Sequence, residues 1–398
     1  MMNTAKRLEG IGEYYFSKKL REIDDLNRQG KNVISLGIGS PDHQPHPDVI
    51  RILQEESRKP GNHAYQGYKG SVVLRNAMAA WYKQWYGVSL NPEQEILPLA
   101  GSKEGIMHIC MTYINPGDIV LIPNPGYPTY QSAAKLAGAN LISYELKEEN
   151  SWFPDFDELK KMIRTKQSGQ ESVLMFVNYP HMPTGQVPNK DLFGRLVAFA
   201  KENQILIVHD NPYSFILNEH PMSILQTEEF GDNVIELNSL SKSHNMAGWR
   251  VGMMVARPRH IENVLRFKSN MDSGMFLPVQ LAAAMALSLP ASWYEMVSKI
   301  YQKRKLAVEK MLEGLDCQFS KEQAGLFVWA KVPQEISDGY TLSDLLLNKA
   351  NVFITPGGIF GTAGNRYVRV SLCATEEKIT ECFERMKQAG FIKPKHHV

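Results

Sequence analysis

Only four cysteines occur in 398 residues, and no two of Cys110, Cys317, Cys373 and Cys382 have the CxxC spacing of a zinc or redox site. Scattered through apolar or helical contexts, they read as structural thiols in a reducing compartment, not as a disulfide framework or metal site. No apolar run approaches the ~18 residues of a membrane span. The N-terminus, MMNTAKRLEGIGEYYFSKKL, carries charges where a secretory signal has its apolar stretch. One-sided charge is missing too. With 44 basic and 42 acidic residues the net charge is +2, which offers nucleic acid no basic surface. The basic tail KPKHHV reads as a solvated end. No Ser/Gly linker, repeat or low-complexity tract interrupts the chain. These absences describe a cytoplasmic globular protein with no membrane or nucleic-acid partner.

What is present is length enough for two domains and an alternation of apolar runs with amphipathic stretches. Strands are expected at ILPLA (96–100), DIVLIP (118–123), NLISYEL (140–146), VLMFVN (173–178), ILIVHD (205–210), VIELNS (234–239) and RVGMMVA (250–256). Helical periods such as EGIMHICMTYI and NKDLFGRLVAFAKEN lie between them. Near-continuous apolar strands alternating with helices predict an α/β fold with a seven-stranded, mostly parallel sheet covered on both faces. Beyond about residue 285 a long helical segment, three short strands and a last helix predict a smaller α/β domain. The N-terminal helical stretch is expected to pack on it. The expected division is 46–285 for the large domain, with 1–45 and 286–398 forming the small one.

The chemistry is densest in SLSKSHNMAGWRVG (239–252). A lysine forms a Schiff base with an aldehyde only where its ammonium is partly deprotonated. Arg250, eight residues after Lys242, offers a planar fork suited to a phosphate. That pairing is what pyridoxal phosphate requires, although a surface Lys and Arg would explain this stretch taken alone. Asn178, Asp210 and Ser239–Lys242 fall at C-terminal strand ends, where open parallel sheets build sites. A carboxylate at Asp210 could keep a pyridine nitrogen protonated, and the Tyr213 phenol could bond the 3′-oxygen; a turn-forming Asp is the competing reading. Gly101, Ser102 and Lys103 precede a helix and could present N–H groups to a phosphate, as an ordinary cap also would. The GIGSP stretch (37–41) is not a dinucleotide fingerprint, because a proline stands where the helix should open. Tyr127, in PNPGYPTY, could stack on a ring or simply occupy a turn. Arg369 shares a strand face with Tyr367 and Ser371, and its fork suits an α-carboxylate.

In order along the chain, LGIGSPD, HAYQGYKG, AGSKEG, PNPGYPTY, NYPHMPTG, HDNPY, SLSKSHNMAGWRVG, TPGGIFG and YVRVS resemble the fold-type-I pyridoxal-phosphate aminotransferases of class I/II. The resemblance spans nearly the whole length. The SLSKxxNMxGWRVG form and GSKEG turn look nearest to the alanine–glutamate and LL-diaminopimelate aminotransferase branches. It implies that Lys242 holds the cofactor and shuttles the proton, that Asp210 pairs with the ring nitrogen, and that Tyr213 and Tyr127 bond and stack. It also implies a phosphate site from Ser102, Lys103, Ser239 and Arg250, and an α-carboxylate site from Arg369 and the Gly39 backbone. Tyr65 would reach the neighbouring subunit's phosphate, which implies a homodimer with shared sites. An L-amino acid and a 2-oxo acid would be the partners, with glutamate and 2-oxoglutarate as the common pair.

One position departs from the resemblance. Met182 stands where NPTG segments carry an asparagine, and a thioether cannot donate a hydrogen bond. Losing one donor weakens carboxylate anchoring by about 1–2 kcal/mol unless Asn178, His181 or a water replaces it. The same scaffold hosts carbon–sulfur β-lyases and enzymes like aminocyclopropane-carboxylate synthase, which share Lys242, Asp210 and Arg250 in kind. A cofactor-binding regulator without turnover is a further alternative. Tyr14, Tyr15 and Phe16 are expected to close over the substrate pocket or to pack the N-terminal helix, with Tyr15 named as the substrate contact. Arg266 and Lys268 are the nearest candidates for receiving a distal carboxylate.

Overall fold

The seven apolar runs form one sheet, because strands such as VLMFVN and VIELNS can be buried on both faces. The computed structural model describes residues 2–13, 15–164, 173–227 and 230–392. A short strand β1 (Ile34–Ser35) precedes β2 (Ile96–Leu99), β3 (Ile119–Asn124), β4 (Asn140–Glu145), β5 (Val173–Asn178), β6 (Ile205–Asp210), β7 (Val234–Ser239) and β8 (Gly252–Ala256). The order across the sheet is β2-β8-β7-β6-β5-β3-β4. Only β8 runs antiparallel to its neighbours.

Alternate residues of each strand feed two separate cores. Leu174, Phe176, Val208 and Ile235 join Ile106, Tyr130 and Ile261 from one helical layer. Val173, Met175, Ile207 and Val234 join Met78, Leu196 and Ala282 from the other. This period of two along fully buried strands covers both sheet faces. The parallel strands leave their C-terminal ends on one edge, and the site lies there.

The C-terminal part adds β9 (Phe327–Lys331), β10 (Val352–Phe353), β11 (Thr355–Pro356) and β12 (Tyr367–Ser371). An antiparallel sheet runs β11-β12-β9, while β10 pairs in parallel with β1. The N-terminal helix Tyr15–Arg28 lies against the C-terminal part: Ile23 meets Leu347 and Phe353 in a small core. No described helix is long and apolar enough to cross a membrane.

Candidate active site

Lys242 sits on the short helix Leu240–Ser243 directly after β7. Ser239 ends the strand, and its hydroxyl accepts the Ser241 N–H at 3.2 Å, which starts that turn. The Lys242 Nζ donates to the Gly39 carbonyl. Burial lowers the affinity of this amine for its proton, and the Arg369 and Arg250 charges lower it further against the pull of Cys373 and Asp210. A half-buried lysine that sheds its proton easily is a nucleophile in waiting.

Asp210 closes β6, one strand away. Its Oδ2 accepts the Tyr130 hydroxyl at 2.9 Å. Its Oδ1 is buried and accepts no hydrogen bond among the described residues. Burial lifts the carboxyl to about 6, against the Tyr130 bond and nearby cations. A buried carboxylate oxygen without a donor is costly, and a protonated ring nitrogen would supply that donor.

The phosphate end is a cradle of backbone. The helix Ser102–Tyr113 starts after Gly101 with no side-chain cap, so its first N–H groups point outward. Arg250 takes φ 56° and lays its guanidinium against this turn, bonding the Ala247 carbonyl at 2.9 Å and Ser241 Oγ at 3.3 Å. Gly101, at φ 89°, must lack a side chain because a Cβ would collide with that guanidinium. These donors, with Ser102 and Ser239, suit a dianionic phosphate.

Arg369 is the opposite wall. It is 4% exposed on β12, with the Phe327 ring 3.7 Å and the Phe360 ring 4.5 Å from its guanidinium carbon. Nη2 donates to the Gly37 carbonyl at 2.8 Å, and Nη1 lies 3.2 Å from the Met182 sulfur. Asn178, expected to take over the missing asparagine's contact, lies beside Met182 in the cavity lining and already makes two hydrogen bonds. Its Oδ1 accepts the Met182 N–H at 2.7 Å and its Nδ2 donates to the Asp210 carbonyl at 2.6 Å. His181 bonds Thr184 at 2.8 Å, and burial lowers its imidazole to about 3.

One cavity of about 530 Å³ collects Gly39, Ser102, Lys103, Tyr127, Asn178, Met182, Asp210, Tyr213, Ser239, Lys242, Arg250 and Arg369 in its lining. Three expected residues are outside that lining, and of these Gly101 stands against the Arg250 guanidinium that borders it. Tyr65 is 91% exposed and outside this chain's cavity. Tyr15 packs its ring edge-on to Tyr340 at 6.4 Å and faces a neighbouring surface hollow, while Phe16 and Leu20 enter the cavity instead. Tyr14 lies outside the described residues. Neither Arg266 nor Lys268 lines the cavity: Lys268 is buried against Asp272 at 2.7 Å. Beside that pair, ligand atoms of Glu104, His108 and Asp272 lie within 4.8 Å of one another, with the Lys268 ammonium already against Asp272. Sequence reasoning missed Tyr130 and Phe327. The first stands three residues beyond Tyr127, one helical turn on, which is a spacing that could have exposed it.

The described donors and the orphaned Asp210 oxygen fit pyridoxal phosphate. Residues 31–386 match the family model "Aminotransferase class I and II". An LL-diaminopimelate aminotransferase of Halothermothrix orenii is 39% identical over 98% of this chain and 99% of its own length. One from Aquifex aeolicus is 37% identical over 97% and 99%. The substrate-bound BacF structure from Bacillus subtilis superposes with a TM-score of 0.91 at 34% identity, over 98% of both chains. The chain belongs to the class I and II aminotransferases and is a pyridoxal-phosphate-dependent enzyme of that family.

Proposed function

We propose that this enzyme takes the amino group of an L-amino acid and passes it to a 2-oxo acid, with glutamate and 2-oxoglutarate as one of its pairs. The observation that carries this reading is a convergence on one short segment. Lys242 donates to the carbonyl of Gly39, and Arg369 donates to the carbonyl of Gly37. The amine and the guanidinium therefore meet the same short segment, Gly37 to Gly39.

Pyridoxal phosphate, when bound, supplies an aldehyde that condenses with amines and a ring that accepts electrons. Lys242, half-buried and readily deprotonated, would hold that aldehyde and would move a proton at the substrate's α-carbon. Asp210 would keep a proton on the ring nitrogen. Tyr213, whose phenol burial keeps protonated, would donate to the 3′-oxygen. Tyr127 would lie along the ring. Ser102, the Lys103 backbone, Ser239 and Arg250 bind the phosphate. Arg369 orients the substrate's α-carboxylate, and Phe16, Phe327 and Phe360 exclude water from that contact.

We also infer a homodimer with Tyr65 reaching the partner's phosphate. Tyr65, Tyr68, Val72, Val73, Met271 and Phe276 are all exposed. They lie on segments in mutual contact: the His63 ring is 5.5 Å from Phe276, and Gly274 approaches the Gln66 backbone. An apolar face of this kind favours association.

The test is a half-reaction panel in which the yellow enzyme is mixed with single amino acids and its visible band is followed. The curated relatives' names make LL-diaminopimelate the first donor to try beside glutamate. Loss of the band with glutamate, and its return with 2-oxoglutarate, is the expected result. Pyruvate and ammonia released from cystathionine, without transfer to 2-oxoglutarate, would overturn it in favour of a β-lyase.

A further inference from the structure

His209 and Glu236 are both 0% exposed, and the chemistry above uses neither. They face each other in register across β6 and β7. His209 Nδ1 is 2.8 Å from Glu236 Oε2, and its Nε2 is 3.0 Å from the Tyr179 carbonyl oxygen. A carbonyl can only accept, so Nε2 carries a hydrogen. Glu236 meanwhile receives the Tyr82 hydroxyl at 2.8 Å, the Ser223 hydroxyl at 2.9 Å and the Ile224 N–H at 3.1 Å. Hydrogen bonds donated to a carboxylate favour its ionised form, which leaves the shared proton on Nδ1. Both ring nitrogens of His209 thus face acceptors, the arrangement an imidazolium fills.

This ring belongs to the chain neighbour of Asp210. Adjacent strand residues point to opposite faces: Asp210 turns to Tyr130, and His209 turns to Glu236 and the Phe193 ring. Burial raises the Asp210 carboxyl, while the Tyr130 bond, the His209 charge and Lys242 oppose that rise. The other titratable groups around the assembly are the phenols Tyr82, Tyr86, Tyr130 and Tyr179, each raised by burial and so uncharged. Of the His209–Glu236 pair, it is the imidazole end that adjoins Asp210.

We propose that His209 is a positioning residue for transamination: as an imidazolium held by Glu236 and the Tyr179 carbonyl, it keeps Asp210 ionised, so that Asp210 can hold a proton on the cofactor's ring nitrogen. The proposal rests on the reading of Asp210 as that nitrogen's partner. The experiment loads the enzyme with cofactor isotopically labelled at the ring nitrogen and records its NMR shift at neutral pH. In the wild-type enzyme the shift is that of a protonated pyridine. In His209→Gln it moves toward the neutral ring, and the half-reaction rate falls with it. A variant shift equal to the wild-type pyridinium overturns the proposal. A neutral ring in the wild type overturns instead the reading of Asp210. Should His209→Gln fail to fold, wild-type enzyme with labelled histidine decides. Two protonated ring nitrogens on His209 at neutral pH support the proposal, and a neutral imidazole overturns it.

Discussion

At Asp210, burial raises the carboxyl from an ordinary 3.8 to about 6. The folded protein without cofactor therefore binds a proton more tightly than the unfolded chain between those values, and its stability falls as pH rises through that window. Above it, the ionised carboxylate costs about 3 kcal/mol. Asp210→Asn in the cofactor-free protein is expected to melt higher than wild type at pH ~8, with the gap closing toward pH ~4. Thermal melts at the two pH values check this, and an equal melting temperature at both contradicts it. The same variant loses turnover, so the carboxylate is kept for chemistry at the expense of the empty fold. Asp210 was legible because a carboxylate ending an apolar strand had Lys242 and Tyr213 in the same order as a known family. Tyr130 was missed although it stands one turn beyond Tyr127, because the run PNPGYPTY hides the start of the helix Pro128–Leu136 that carries it. Met182 was legible as a departure, but its contact with Arg369 depends on a fold around residues 187 positions apart.

The elements around the phosphate meet at backbone distance. β8 begins at Gly252, two residues later than the apolar run suggested, because Arg250 turns through φ 56° before the strand. A Cβ on Gly252 would stand 2.7 Å from the Ser102 nitrogen and 2.9 Å from the Asn238 carbonyl oxygen. Both neighbours are backbone, so the strand or the helix start must shift. Gly252→Ala is expected to destabilise by about 1–3 kcal/mol and to weaken pyridoxal-phosphate binding by displacing the first N–H groups of Ser102–Tyr113. Fluorescence titration with the cofactor measures it, and unchanged affinity would contradict the cradle. The strands buried on both faces were visible as uninterrupted apolar runs, and the largely exposed edge strand β4 as an interrupted one. The antiparallel course of β8 was not, because direction depends on the connection through 240–251 and not on composition. The run VFITP became two strands in two sheets, β10 and β11, which periodicity over so few residues cannot resolve.

Across the whole molecule, the site is assembled from both ends of the chain. The β1–β10 pairing ties residues 34–35 to 352–353 and brings Phe16, Gly37 and Gly39 to Arg369 and Lys242. We propose the division at about residues 46 and 285 on the strength of that pairing. Phe16 displacing Tyr15 from the cavity is a matter of how the helix Tyr15–Arg28 is rotated on its support, which neighbouring aromatics in sequence could not tell apart. The exposed face around Tyr65 leads to the expectation of a dimer of about twice the chain's 45.0 kDa in sedimentation; a monomer at micromolar concentration would contradict the shared site. Every part of this assembly is arranged about one amine. The most direct measurement is borohydride reduction of the enzyme loaded with pyridoxal phosphate, followed by peptide mass analysis. The cofactor is predicted on Lys242 and on no other lysine at equal yield. Its appearance on a different lysine, or a Lys242→Ala variant labelled as fully as wild type, would contradict the account.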